Sequence, residues 1–170
     1  MGSVIKKIKM QVNEIERRFL LKRIPIVNWT NIYDIEQYYI LDTELGVIKR
    51  LRVKYDVLYS KPRTFEYLHK IYVAAGQFVE VHEDFNPTDF KELRSKAFKI
   101  LSKRRYVYEY NGLKFEVDVI DGITLVLMEV ELDDINQPFD FPDEIKAELI
   151  TEVTGMIGLS NFELANPIKY

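Results

Sequence analysis

The chain has 170 residues, 24 of them Lys or Arg against 27 Asp or Glu, and no cysteine. That excludes a disulfide scaffold and a Cys-based metal site, and a formal net charge of −3 lacks the basic excess of a broad nucleic-acid surface. No apolar run approaches the roughly 20 residues of a membrane helix, and residues 1–7 lack a signal-peptide apolar core, so no membrane association and a cytoplasmic location are expected.

The length suits one domain over residues 1–170 with one sizeable core. Along the chain, period-two alternation predicts strands at 12–21, 33–41, 47–54, 65–73, 78–85, through Tyr106–Tyr108–Tyr110, at 113–120 and at 123–132. About eight strands at short spacing point to a sandwich or barrel. Trp29 falls in an irregular stretch after Pro25. Phe90, Leu93, Ala97 and Ile100 stand at helical spacing and predict a helix over 88–102, started by Asn86, Pro87 or Thr88. A second helix is expected from Pro142 to just before Gly155, and a third over 160–165, where Ser160 and Glu163 have capping-box spacing.

Several strand faces are charged at consecutive sites. Glu14, Glu16 and Arg18 share a face, as do Arg50 and Arg52, and Lys70 sits inside an apolar strand. Asn111-Gly112 is a preferred two-residue hairpin turn, which sets Arg105 opposite Asp118. Asp121-Gly122 offers another tight turn, with Asp118 opposite Leu125. Lys103, Arg105, Glu116, Asp118, Glu129 and Glu131 then project to one side. In that register Glu129 lies four residues along the sheet from Asp118, roughly 13 Å; a longer loop would bring them closer.

An ordinary solvent face mixes Lys, Glu, Thr and Ser, whereas like charges repeated along a strand repel. A closed sheet with helices outside turns these faces inward. Glu14, Glu16, Asp118, Glu129 and Glu131 then oppose Arg18, Arg50, Arg52, Lys70, Lys103 and Arg105. Acid pairs at i and i+2 suit a hard cation with oxygen ligands, Mg²⁺ or Mn²⁺, and the bases suit phosphate oxygens. Two such cations bring this set to about +5, similar in size to the charge of a triphosphate.

The ordered set resembles a known family. Glu14-Ile15-Glu16-Arg17-Arg18 is similar to the ExExK signature of the CYTH superfamily, the triphosphate tunnel metalloenzymes. Gln37-Tyr38-Tyr39-Ile40 resembles its second-strand Q-x-Y-L, Arg50-Leu51-Arg52 its R-x-R, Lys70 its next-strand lysine and Lys103-Arg104-Arg105 its K-x-R. Asp118, Glu129-Val130-Glu131, and Glu152-Val153-Thr154-Gly155 with Asn161 and Leu164 complete the likeness over residues 12 to about 165.

The resemblance implies an α+β fold: an eight-stranded antiparallel β-barrel forming a triphosphate tunnel, with helices packed outside. It implies Mg²⁺ or Mn²⁺ held by Glu14, Glu16, Glu129 and Glu131, with Asp118 a ligand or orienting one. Arg18, Arg50, Arg52, Lys70, Lys103 and Arg105 would grip phosphate. Arg18 departs from the signature lysine, and Glu80, His82 and Glu83 occupy a strand that often carries Arg, so they receive no role.

The expected activity is metal-dependent hydrolysis of a triphosphate-bearing small molecule, inorganic triphosphate or a nucleoside triphosphate, in which Glu14, Glu16, Arg18, Glu129 and Glu131 act on the reacting group. A 5′-triphosphate RNA end is a less favoured substrate. A class IV-type adenylate cyclase, making cyclic AMP and pyrophosphate from ATP, is the alternative enzyme. A non-catalytic polyphosphate- or nucleotide-binding module is the alternative outside enzymes; the close acid pairs argue against it.

Overall fold

The computed structural model describes residues 9–169; the reading of residues 1–7 lies outside them. Eight strands carry the fold: β1 (Met10–Leu21), β2 (Asn31–Asp42), β3 (Val47–Asp56), β4 (Thr64–Ala74), β5 (Gln77–His82), β6 (Ala97–Tyr110), β7 (Leu113–Ile120) and β8 (Val126–Glu131). They pair in the order β6-β2-β3-β4-β5-β1-β8-β7, and β7 returns to β6. Every ladder is antiparallel. The sheet therefore closes into the expected eight-stranded barrel, which removes the unpaired edges of an open sheet.

Closure gives each strand an outer apolar face and an inner charged one. Outside β1, β7 and β8, Phe19, Phe115, Val117, Met128 and Val130 are covered by Phe139, Phe141 and Ile145. Outside β2 and β3, Tyr38, Ile40, Leu51 and Val53 pack on Phe90. Trp29 rests on Tyr106 and Tyr108, which face outward as their parity requires. A third cluster lies within the bore. Leu20, Tyr39, Leu101, Ile120 and Leu127 meet Val153, Phe162, Leu164 and Ala165 and fill one end of the barrel.

The helices are shorter than their periodicity suggests. A 3-10 turn (Pro87–Asp89), capped by the Asn86 side chain on Thr88 N, leads into α1 (Phe90–Ser95). Residues 97–102 are strand, not helix. Ile40 faces Ala97 and Tyr38 faces Ile100 across the β2–β6 ladder, and that long-range pairing overrides local spacing. Likewise α2 spans only Asp143–Lys146, and Leu149–Glu152 form β9. The ladder of β5 on β1 ends at Ile15, so the same edge of β1 is bare from Phe19 to Leu21 until β9 pairs with it. α3 (Asn161–Leu164) follows the expected capping box of Ser160 and Glu163, and β10 (Asn166–Pro167) pairs with β6. Among the described residues no helix is long and apolar enough to cross a membrane.

Two turns set the register of the site. Asn111 and Gly112 have φ of 49° and 76°, as a two-residue hairpin turn demands, and Arg105 lies opposite Asp118 as expected. The next connection is longer than a tight turn. Asp118 faces Leu127, not Leu125, and Glu116 faces Glu129. Glu129 is thus two residues along from Asp118, roughly 7 Å at strand rise, and the even shift keeps every acid on the inner face.

Gly76 joins this register to the site. Its carbonyl accepts the Glu16 N–H at 2.8 Å, and at φ +71° an added Cβ would fall on the Glu16 carbonyl oxygen and within 2.9 Å of Thr154 Cγ2. Gly76→Ala should therefore lower stability by roughly 2 kcal/mol or more. Gly112→Ala, strained by φ alone with nothing within 4 Å, should cost about 1 kcal/mol; thermal unfolding of the two variants checks the difference.

Candidate metal and phosphate site

All eleven residues singled out in the sequence reach the barrel interior. The most buried part is built on Arg105, 6% exposed. Its Nε donates to Asp118 Oδ1 at 2.7 Å, and Nη2 donates to Asp118 Oδ2 and Glu129 Oε2, both at 2.8 Å. Nη1 donates to Glu116. Lys103 Nζ donates to Asp118 Oδ2 at 2.5 Å. Asp118 thus has both oxygens engaged by bases. Burial favours its neutral acid, but Arg105 and Lys103 outweigh that and hold its pKa below the usual range. Burial and the neighbouring Arg105 push the Lys103 ammonium down to about 8.

The remaining bases are held less completely. Arg52 donates to Gln37 Oε1 from Nε and Nη2 and to Glu66 Oε2 from Nη1. Arg50 Nη2 lies 3.5 Å from Glu66 and 3.7 Å from Glu80, and its Nε is buried without a partner. Lys70 pairs with Glu14 and lies 3.6 Å from Glu80. Arg18 Nη1 donates to the Leu159 carbonyl at 2.5 Å. Its Nε lies 3.3 Å from Glu129 Oε1, yet Nε and Nη2 are buried without hydrogen bonds. A buried, unpaired donor costs about 1–3 kcal/mol, so these guanidinium edges favour an anion.

The acids share the bore with these bases. Glu16 faces Glu131 across the β1–β8 ladder, and Glu129 faces Glu116 across β7–β8. Like charges directly opposed on a sheet repel. Burial, then Glu129 and Glu14, push the Glu16 carboxyl up to about 8. Burial, Glu116 and Glu14 raise Glu131 as well. A cavity of about 200 Å³ is lined by Glu14, Glu16, Glu116, Glu129 and Glu131 together with Arg52, Lys70 and Arg105, among others. A second cavity of about 560 Å³ shares Glu16, Lys70, Glu129 and Asn161 with it and continues past Arg18 and Arg50 to Tyr39, Leu68, Tyr72, Phe78 and Phe162.

Solved structures with this barrel include the inorganic triphosphatase NE1496. It is 28% identical, with 91% of this chain and 95% of that one covered and a TM-score of 0.53. The barrel and this likeness are consistent with the CYTH superfamily. A second crystal structure of NE1496, there called a hypothetical protein, is 29% identical over 89% of this chain and 97% of that one, with a TM-score of 0.52. The PH1819 protein of Pyrococcus horikoshii OT3 shares the fold at 17% identity, with 79% and 82% covered and a TM-score of 0.52. No protein-family model and no curated protein matches the chain.

This barrel also brings in residues that the sequence reading left aside. Glu66 and Glu80 pair with Arg50, Arg52 and Lys70; Glu116 pairs with Arg105; Lys54 and Lys114 line the acidic cavity. Parity held the signal, since Glu66 shares a face with Lys70, Lys54 with Arg52, and Lys114 with Glu116. His82 rests 3.1 Å from Glu80. Tyr39 is buried in the apolar end, with its hydroxyl accepting from Gln37 Nε2 at 3.0 Å.

The donor set suits a hard divalent cation, because carboxylate oxygens are the ligands such ions take. Among the described residues no three acidic or imidazole groups form a ready cation cage; Glu14 is turned to Lys70 and Glu129 to Arg105. Among the described residues Glu16 and Glu131, opposed and raised in pKa, make no ion pair within 4.0 Å, although Lys70 and Arg18 act on the first and Arg105 and Lys114 on the second. The proton on Glu16 gives a signature in stability. Its folded-state pKa lies above the unfolded one, so its contribution is full below about pH 4.5 and is lost as pH rises through 8. In chelator, Glu16→Gln should flatten this fall and be more stable than the wild type at pH 9 by about 1–3 kcal/mol, read by chemical unfolding at pH 5 and 9.

Proposed function

We propose that the protein hydrolyses the terminal phosphoryl group of a triphosphate chain in a reaction dependent on Mg²⁺ or Mn²⁺. The observation that carries this reading is the pairing of under-satisfied groups in one bore: buried N–H groups of Arg18 and Arg50 without hydrogen-bond acceptors, beside the opposed carboxylates Glu16 and Glu131, both raised in pKa. The likeness to the triphosphatase NE1496 supports it.

Glu14, Glu16, Glu129 and Glu131 would hold the metal, and Asp118, occupied by Arg105 and Lys103, would orient the basic side. The metal, when bound, supplies a Lewis acid and lowers the pKa of water bound to it. The chain's own residues do the rest. Arg18, Arg50, Arg52 and Lys70 bind successive phosphate oxygens and set the chain in line for attack. Arg105 holds Glu129 in place, so metal side and phosphate side keep a fixed spacing. The acids Glu14, Glu16, Glu66, Glu80, Glu116, Asp118, Glu129 and Glu131 equal in number the bases Arg18, Arg50, Arg52, Lys54, Lys70, Lys103, Arg105 and Lys114. Two divalent cations would then leave about +4, comparable to a triphosphate.

Inorganic triphosphate is the minimal substrate, because the charges account for phosphates alone. A nucleoside triphosphate is favoured as a second reading by the larger cavity, whose Leu68, Tyr72, Phe78 and Phe162 offer apolar surface beside Arg18 and Arg50. A panel of inorganic triphosphate, ATP and other nucleoside triphosphates with Mg²⁺ or Mn²⁺, resolving phosphate, pyrophosphate and cyclic AMP, tests both. Phosphate release from a triphosphate is expected; cyclic AMP with pyrophosphate as the main products would overturn hydrolysis in favour of a cyclase. Glu131 is solvent-exposed at the bore's mouth, so Glu131→Gln should keep its circular dichroism spectrum while metal-dependent turnover falls about 100-fold, equivalent to about 2.7 kcal/mol.

A further inference from the structure

We infer that Arg18 is a positioning residue that fastens the 153–160 segment to the bound phosphate chain, an inference resting on the phosphate site proposed above. Arg18 meets this segment at three points. Its carbonyl accepts from Val153 N at 2.8 Å, its N–H donates to Thr154 Oγ1 at 2.9 Å, and its Nη1 donates to the Leu159 carbonyl. The first two contacts are backbone contacts that any residue at this position can make. The third needs the guanidinium.

The segment is otherwise lightly held between its ends. Gly155 and Gly158, at φ +70° and +89°, bracket Met156 and Ile157, which are 53% and 91% exposed. Val153 and Thr154 are anchored to β1, and Ser160 caps α3. The Arg18–Leu159 bond closes the loop between these anchors. Thr154, Gly155, Met156 and Ile157 form one wall of the cavity that Arg18 and Arg50 also line.

A guanidinium is a rigid fork with donors on separate edges. In Arg18 the Nη1 edge is engaged by Leu159, Nε lies 3.3 Å from Glu129 Oε1 without a hydrogen bond, and Nη2 is buried with no partner. A phosphate oxygen on Nη2 would leave the Leu159 bond intact and hold the planar group on both sides. The CYTH signature places lysine at this position. An ammonium carries its three donors on one atom, and it does not present two opposed edges. Substrate affinity and order of the 153–160 segment are therefore coupled through Arg18, and the coupling is reciprocal.

Amide hydrogen exchange tests this, with inorganic triphosphate as the probe, in chelator and again with Ca²⁺, and with saturation set by calorimetry. In the wild type the amides of residues 156–161 should exchange at least five-fold more slowly when the probe is bound. Arg18→Lys keeps the charge; it should bind about ten-fold more weakly and show no slowing at saturation. Equal slowing in both proteins, or none in the wild type at saturation, overturns the coupling alone. No binding by the wild type in either condition overturns it together with the phosphate site. Gly158→Ala strains the loop without entering the cavity, since an added Cβ there meets nothing within 4 Å. It should raise KM for the hydrolysed triphosphate at least three-fold and change kcat less than two-fold. An unchanged KM would also overturn the coupling.

Discussion

A charge inside a barrel persists only where opposite charge stands beside it, and Arg105 meets that condition for several strands at once. Its fork engages both oxygens of Asp118 from across the β6–β7 ladder, Glu116 from the same strand and Glu129 from β8. Burial by itself would lower the pKa of this guanidinium; the three carboxylates reverse that and hold it well above its usual value. Removing one partner of such a cluster strands the others in low dielectric, which typically costs 3–5 kcal/mol. The interior is therefore cooperative: Lys103 and Arg105 place Asp118, and Arg105 places Glu129.

That cooperativity is confined to the middle of the bore. Towards β10 and α3 the inner faces turn apolar, and Tyr39, Leu101, Ile120 and Leu127 pack on Val153 and Ala165. Towards the Asn111-Gly112 turn the inner faces stay charged, and the opposed acids Glu16 and Glu131 are left partly unanswered. One end of the barrel thus spends its inner surface on packing, which closes it. The other keeps an electrostatic debt that a cation can settle, and the guanidinium edges of Arg18 and Arg50 stand between the two.

Much of this was legible as parity. The charged faces of β1 and β3, the Arg105–Asp118 pairing and the inward set on β7 followed from period two and one hairpin turn; the β8 acids were read through a tight turn at Asp121-Gly122, and they face inward because the longer connection shifts the register by an even number. Where two signals competed, the local one misled. Ala97 and Ile100 stand at helical spacing after Phe90, yet β2 offers a full ladder of partners and they join it. Residues 149–152 read as the end of a helix because nothing local reveals that β5 stops at Ile15 and leaves part of β1 bare. Glu66 and Glu80 carried a readable parity, but their worth depends on partners that are distant in the chain.

The amino-acid sequence alone determined which side chains share a face, because alternation is a property of the extended backbone. It thereby determined that acids and bases would be gathered in one place, and the ordered motifs pointed to the CYTH superfamily. Only the tertiary structure decided how they pair there. The five-residue connection between Ile120 and Val126 set Glu129 opposite Glu116, and barrel closure set Glu16 opposite Glu131. Closure also laid the 153–160 segment against Arg18. Those pairings depend on strand order and shear, which are summed over the whole sheet and are encoded in no single stretch of chain.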